Sequence, residues 1–279
     1  MSSDHGKLFV KRSPMPVSAE DLFAWHARPG AFERLTPPWE SIRIAGAHPG
    51  LVEGAEVVLR LGRGPLRFTW VARHRDILPG RAFTDEQIRG PFARWVHLHR
   101  FEPDGPGASV LEDRIEYRLP LGGLGHLVAG PMVRRALDRS FTFRHRRTRE
   151  DLMRHRDAAL PRPLRVAVTG ASGLVGSALA AFLRTGGHEV VPILRRTPRP
   201  GEPGIVWDPD RGALDAAALE GFDAVVHLAG ANIGESRWTP ARKEILRRSR
   251  VDATGLLCRA LAALSRPPRV LVSASAVGY

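Results

Sequence analysis

The feature that most constrains this chain is a short apolar run that ends in three evenly spaced glycines. Leu164-Arg165-Val166-Ala167-Val168-Thr169 reads as a buried strand, and Gly170-Ala171-Ser172-Gly173-Leu174-Val175-Gly176 follows at once. A helical run, Ser177 to Arg184, continues to Gly186-Gly187, and Glu189–Leu194 is the next strand. Strand, glycine turn, helix and strand within about 30 residues is the setting that gives such glycines a mechanical role. Gly170 permits the tight turn, Gly173 lets the backbone approach a pyrophosphate, and Gly176 allows helix and strand to pack closely. Amides at the helix start, from Ser172 to Val175 and including Leu174, then face the phosphates. No Gly-Lys-Ser/Thr follows, which argues against a P-loop.

The rest of the chain has room for a second domain. Its 279 residues correspond to about two domains of ordinary size. A hydrophobic content of 43% with 25% charged residues excludes a mostly disordered chain. Apolar runs fall well short of the roughly 18 residues that span a bilayer. Met1 to Lys7 has no apolar segment behind a basic one, so no secretory signal is read there, and a cytoplasmic location is expected. Cys258, the lone cysteine, excludes an intrachain disulfide and a cysteine zinc cluster. The formal charge is +13, with arginine supplying nearly all of the 42 basic residues. Beside 28 Gly and 23 Pro, that bias reads as a GC-rich genome rather than as an anionic partner. Pro161-Arg162-Pro163 is the clearest joint. The expected organisation is a first domain over 1–160, a linker at 161–163 and a second domain over 164–279.

Residues before the joint read as a curved antiparallel sheet closed by a long helix. Lys7–Ser13 is a candidate opening strand, and Ser18 is a candidate N-cap before Ala19 to Trp25. Strand signals run from Ser41 to Leu119. Phe68 and Trp70 share one strand face, Trp95 and Phe101 another with His97 and His99 between them, and Tyr117 a third with Leu111 and Ile115. Val133, Leu137, Phe141 and Leu152 form the apolar stripe of a helix over about Val128–His155. This half resembles the START-like, helix-grip superfamily, also called SRPBCC or polyketide-cyclase-like, over about residues 5–157. The resemblance rests on element order and on Gly90-Pro91-Phe92-Ala93-Arg94-Trp95. It implies a cavity between sheet and helix for an apolar ligand, which the faces above would border with Phe68, Trp70, Trp95, Phe101 and Tyr117.

The second half resembles the short-chain dehydrogenase/reductase superfamily, and most closely its atypical, extended, epimerase-like branch. The glycine spacing carries this likeness, together with Asp223 to Ala231 (a strand running into a small-residue turn), Arg237-Trp238-Thr239-Pro240 and Ser273 to Tyr279. The resemblance implies an α+β helix-grip domain followed by an α/β Rossmann-type doubly wound parallel sheet. It assigns Leu228, Ala229, Gly230 and Ala231 to the cofactor and aligns Ser275 with the serine that bonds the reacting substrate oxygen. That family's Tyr-x-x-x-Lys falls about 25 residues beyond its serine motif, so Tyr279 is not the acid/base. On that count the chain reads as the amino-terminal part of a longer protein.

At the end of the second strand stand Arg195 and Arg196, with no acid until Glu202. A guanidinium there pairs with a 2′-phosphate, which predicts NADP(H) over NAD(H). A single long helix is expected over Pro240 to Leu264, with Ile245, Leu246, Leu256, Leu257, Cys258 and Leu261 on its apolar side. His97 and His99 share a face with only Asp113 to suggest a third ligand, and the expectation is cavity-lining histidines with no metal. Nine arginines between Arg134 and Arg156, interleaved with Asp138, Glu150 and Asp151, read as a solvated face and not a nucleic-acid footprint. The leading expectation is an NADP(H)-binding epimerase- or oxidoreductase-like protein with an apolar-ligand module, its partner a small molecule. The rival is a non-catalytic sensor of NADP(H) and a lipid-like ligand.

Overall fold

Two units divide the chain between Ala159 and Leu160. The computed structural model describes residues 6–46, 50–62, 64 and 67–275. The first unit runs β1 (Lys7–Met15), α1 (Ala19–Ala27), α2 (Ala31–Leu35), β2 (Ile42–Ile44), β3 (Glu56–Leu61), β4 (Phe68–Leu78), β5 (Ala82–Arg89), β6 (Arg94–Pro103), β7 (Ser109–Arg118) and α3 (Gly122–Ala158). Its seven strands form one antiparallel sheet in the order β1-β7-β6-β5-β4-β3-β2. Strands β2 to β7 follow one another as a meander, and β1 closes onto β7. Ser18 caps α1 as its sequence predicts, its side chain accepting the Asp21 N–H at 3.1 Å. Helix α3 begins six residues before the expected Val128, with Leu121 in the left-handed region ahead of it.

Side chains of one sheet face meet α3 in two apolar clusters. Phe9, Trp95, Ile115, Tyr117, Leu119, Leu137 and Phe141 form one, with Trp70 and Phe92 packed against it. Met15, Leu22, Trp25, Phe83, Phe101, Leu111 and Leu152 form the other. The expected α3 stripe is therefore the buried one, with Leu137 and Phe141 in the first cluster and Leu152 in the second.

The second unit runs β8 (Arg165–Thr169), α4 (Leu174–Thr185), β9 (Glu189–Leu194), β10 (Ile205–Asp208), β11 (Ala213–Leu214), β12 (Ala224–His227), α5 (Pro240–Arg248), α6 (Val251–Ala262) and β13 (Val270–Ser273). The sheet order is β11-β10-β9-β8-β12-β13, with every pairing parallel except that of the short β11. Alternate residues of β8 serve opposite faces, as a strand buried on both sides requires. Val166 and Val168 pack with Val190 and Ala180 of α4, whereas Ala167 packs with Val191, Val225 and Leu257 of α6.

The expected single helix over 240–264 is two. Thr239 caps α5, accepting the Arg242 N–H at 3.2 Å, with Pro240 in its first turn. It stops at Ser249, whose hydroxyl donates to Leu246 O and accepts the Ala231 N–H. The break resets the buried face. Ala253, Leu257 and Leu261 now form the inward stripe at helical spacing, so Cys258, expected in the core, is exposed, and Ile245 is half exposed.

One ion pair ties the short α2 to α3. Arg34 grips the fully buried Asp151 through Nε at 2.7 Å and Nη2 at 2.6 Å. Arg34→Met leaves that carboxylate buried without its cation and is expected to cost about 3–5 kcal/mol. Arg34→Met with Asp151→Leu is expected to recover most of the loss, read from urea unfolding of the four proteins of the cycle.

Candidate functional site

Three strand ends assemble the first candidate site. Thr169, His227 and Ser273 stand in register on β8, β12 and β13, so the chain leaves the sheet at one edge after each of them. At β8 the connections diverge, to β9 on one side and β12 on the other, which opens a crevice outside the strand ends. Gly170 turns the chain with φ +68°, a region that costs other residues strain. A side chain there would press on the backbone of Leu228 and Ala229 at 3.0 Å. A Cβ on Gly176 would overlap the carbonyl oxygen of Gly170, so the first turn of α4 can lie against the turn only as glycine. The leading helix amides, on Leu174, Val175 and Gly176, take no backbone acceptor among the described residues, and Leu174 is 91% exposed.

The hydroxyl of Thr169, which the motif did not single out, fastens the facing loop. Fully buried, it accepts the N–H groups of Leu228 and Ala229, both at 3.0 Å, and lies 2.8 Å from His227 Nδ1. With both lone pairs taken, its own proton goes to Nδ1. Burial lowers the His227 pKa, which keeps that nitrogen free to accept. Arg250 and Ser249 hold the loop from the other side: Arg250 donates to Ala231 O at 3.1 Å and lies near the Cα of Gly230.

The remaining predicted residues of this unit lie around the same edge. Ser172 and Gly173 are exposed in the turn, and Gly173 N–H closes it on Gly170 O at 3.0 Å. Arg195, exposed just beyond β9, makes no hydrogen bond or ion pair among the described residues. Arg196 differs from expectation, because Glu202 folds back and takes its guanidinium in two bonds of 2.8 and 2.6 Å. Acid and base stand six positions apart, so among the described residues the end-of-strand pair has one guanidinium neutralised and one open. Ser275 is exposed two residues past β13, and Tyr279 lies outside the described residues.

A second constellation lies in the first unit, between its two apolar clusters. Trp70, Trp95 and Tyr117 come together as expected, with Phe92 filling the ring set: Trp70 stands edge-on to Trp95 at 5.1 Å and Phe92 lies 4.7 Å from Trp95. Phe101 does not join them, packing with Phe23 and Phe83 in the other cluster, and Phe68 is 43% exposed. The layer in between is polar and buried. Asp113 of β7 meets His97 Nε2 at 2.9 Å, His99 Nδ1 at 2.7 Å and His145 Nε2 of α3 at 2.7 Å. Asp85 of β5 meets His74 Nδ1 and, at 3.4 Å, His99 Nε2. Ser13 Oγ completes the layer on His145 Nδ1.

Environment separates these imidazoles. Burial, reinforced by neighbouring His99, lowers the His97 pKa to about 4. Burial opposes charge on His99 too, but the Asp113 and Asp85 carboxylates outweigh it and raise its pKa to about 9. Against the cost of its own burial, Asp113 is held well below the usual carboxylate range by His99 and by its three histidine contacts. The sequence paired His97 with His99 and with Asp113; Asp85, His74 and His145 were missed. Alternation on β5 is the faint signal for Asp85, since Phe83, Asp85 and Gln87 share a face.

Comparison with known proteins agrees with this division. Residues 15–142 match the family described as polyketide cyclase / dehydrase and lipid transport, and residues 166–279 match the NAD dependent epimerase/dehydratase family. Over 114 residues the chain is 45% identical to an epimerase family protein of Mycobacterium leprae, covering 41% of this chain and 36% of that one. An epimerase family protein of Homo sapiens is 37% identical over 118 residues, 42% of this chain and 38% of its own. The crystal structure of a nucleoside-diphosphate sugar epimerase from Corynebacterium glutamicum aligns with 97% of this chain and 55% of its own, at 33% identity and a TM-score of 0.75. The matched segment thus spans well under half the length of these curated relatives. The chain joins an N-terminal domain of the polyketide-cyclase, START-like type to a domain of the NAD-dependent epimerase/dehydratase type.

Thr169→Val tests the fastening of the loop. It keeps the volume but strands the Ala229 amide and the His227 nitrogen, and is expected to cost the second unit about 1–3 kcal/mol. Thr169→Ser restores the hydroxyl and most of the stability. Denaturant unfolding followed through Trp207, whose ring lies 5.6 Å from His227, distinguishes the two.

Proposed function

We propose that the second unit binds NADP(H) at the C-terminal edge of a Rossmann-type sheet and serves an epimerase- or oxidoreductase-like reaction on a small molecule. The carrying observation is the pair of glycine contacts after β8. They hold the free amides of Leu174, Val175 and Gly176 outside the ends of β8 and β12, where the connections diverge, and amides so placed suit a pyrophosphate. Gly173 leaves room for the phosphate backbone, with Ser172 beside it. Leu228, Ala229, Gly230 and Ala231, held by Thr169 and Arg250, form the opposite wall along the cofactor's ribose and nicotinamide. The bound cofactor supplies hydride chemistry; Ser275, just past β13 on the same edge, is proposed to bond the reacting oxygen of the substrate. The first unit is proposed as an apolar-ligand module, with Trp70, Trp95 and Tyr117 as the aromatic wall and Phe101 at the far cluster. No helix among the described residues is long and apolar enough to cross a membrane.

Preference for NADP(H) over NAD(H) rests on Arg195. Its guanidinium is unengaged among the described residues, whereas Arg196 is held by Glu202, so Arg195 is the side chain proposed to meet the 2′-phosphate. A charge-assisted bond of about 1.5–3 kcal/mol corresponds to a tenfold to hundredfold preference for NADP. In calorimetric titrations Arg195→Ala is expected to erase most of that gap, by weakening NADP and leaving NAD unchanged. Arg196→Ala is expected to have a smaller effect, and Glu202→Gln to widen the gap by freeing the second guanidinium. Equal affinities for the two dinucleotides in the unaltered protein would refute the assignment.

A further inference from the structure

The buried polar layer of the first unit is a costly thing to place between two apolar clusters. Each carboxylate and imidazole in it loses water on folding, and the gain from pairing rarely exceeds that loss. Stability alone gives no reason for two carboxylates there. Three observations single out one corner of the layer. Asp85 on β5 stands directly opposite His97 on β6, and His99 follows two residues later on the same face. One ligand atom from each of the three lies within 4.8 Å of the other two. The polar capacity of the corner is also unspent. Among the described residues His74 Nε2 is buried with no hydrogen-bond partner, and His99 Nδ1 reaches Asp113 at 2.7 Å as an ion pair.

We propose that Asp85, His97 and His99 bind a divalent first-row transition-metal ion of the zinc class. Asp113 and His74 act as positioning residues behind them. Asp113 takes the Nε2 proton of His97, which leaves the lone pair on Nδ1, and such a carboxylate behind the imidazole is how ligating histidines are usually held. His74 grips Asp85 from the far side. The spacing of the remaining pair fits as well. His99 Nε2 and Asp85 Oδ2 are 3.4 Å apart, and two bonds of about 2.1 Å meeting at a tetrahedral angle span roughly 3.4 Å. Two imidazoles and one carboxylate favour zinc-like ions over magnesium or calcium, and the only cysteine lies in the other unit, so no thiolate is at hand. Three protein ligands leave at least one position open, and Asp85, which is only partly buried, marks the side from which that position is reached. The proposal departs from the sequence expectation of no metal, with Asp85 as the third ligand that the sequence did not show.

The test uses the full chain, stripped with chelator and titrated with Zn²⁺ against a chromophoric competitor. One equivalent is expected to bind with a dissociation constant below about 1 μM, and Asp85→Asn and His97→Gln are each expected to weaken it about 100-fold or more. Cys258→Ser should leave the affinity unchanged. Co²⁺ loading of the unaltered protein gives an independent reading that needs no variant to fold. The expected spectrum is the strong visible absorption of four- or five-coordinate cobalt, without a thiolate charge-transfer band. Affinity weaker than about 1 μM, tight binding that survives both variants, or the faint spectrum of six-coordinate cobalt overturns the assignment.

Discussion

The carbonyl oxygen of Gly170 approaches the first turn of α4 so closely that a side chain at Gly176 would collide with it. That contact sets the angle at which the helix leaves the strand, and through it where the free amides of α4 point. On its other flank a side chain at Gly170 would meet the backbone of Leu228 and Ala229, so the same residue lets the facing loop come close. Thr169, one position earlier, converts the proximity into hydrogen bonds. Thr169, Gly170 and Gly176, within eight residues, thus position two loops that are about sixty residues apart in sequence. The parallel order of β9, β8, β12 and β13 carries this arrangement to the sheet edge, with Ser273 in register beside His227.

The first unit is organised around a different constraint, the burial of Asp113. A carboxylate 3% exposed must be compensated in place, and histidines from β6 and α3 do so. Because His145 comes from α3, the compensation also fixes where the helix crosses the sheet, with Ser13 of β1 on its second nitrogen. The apolar clusters on either side then pack against a helix whose register is already determined. Trp70, Trp95 and Tyr117 at one end and Phe101 at the other are consequently separated by charge, and the single aromatic wall read from strand faces becomes two.

What was legible in the sequence follows the range over which each feature is determined. The glycine turn was legible because positive φ at Gly170 and clearance at Gly176 are encoded within seven residues. The Ser18 cap and the α3 stripe were readable for the same reason. Asp85 was not, since it meets His97 only through the β5–β6 register. That register is set by a turn in which Gln87 bonds both the N–H and the C=O of Phe92. The break between α5 and α6 was equally hidden. Ser249 and Arg250 have no local objection to helix, and it is their bonds to Ala231 that end α5 there. Arg196 is a case of partial sight: the basic pair was evident, but the return of Glu202 was not.

The function proposed for the second unit requires that the turn after β8 present its amides to a dinucleotide phosphate. Amide chemical shifts of the isotope-labelled full chain, followed while NADPH is titrated, test it most directly. Saturable shifts are expected, largest at Leu174, Val175 and Gly176, with the amides of 229–231 following at the same half-saturation. Silence at these amides, or saturable shifts confined to the first unit, would contradict it.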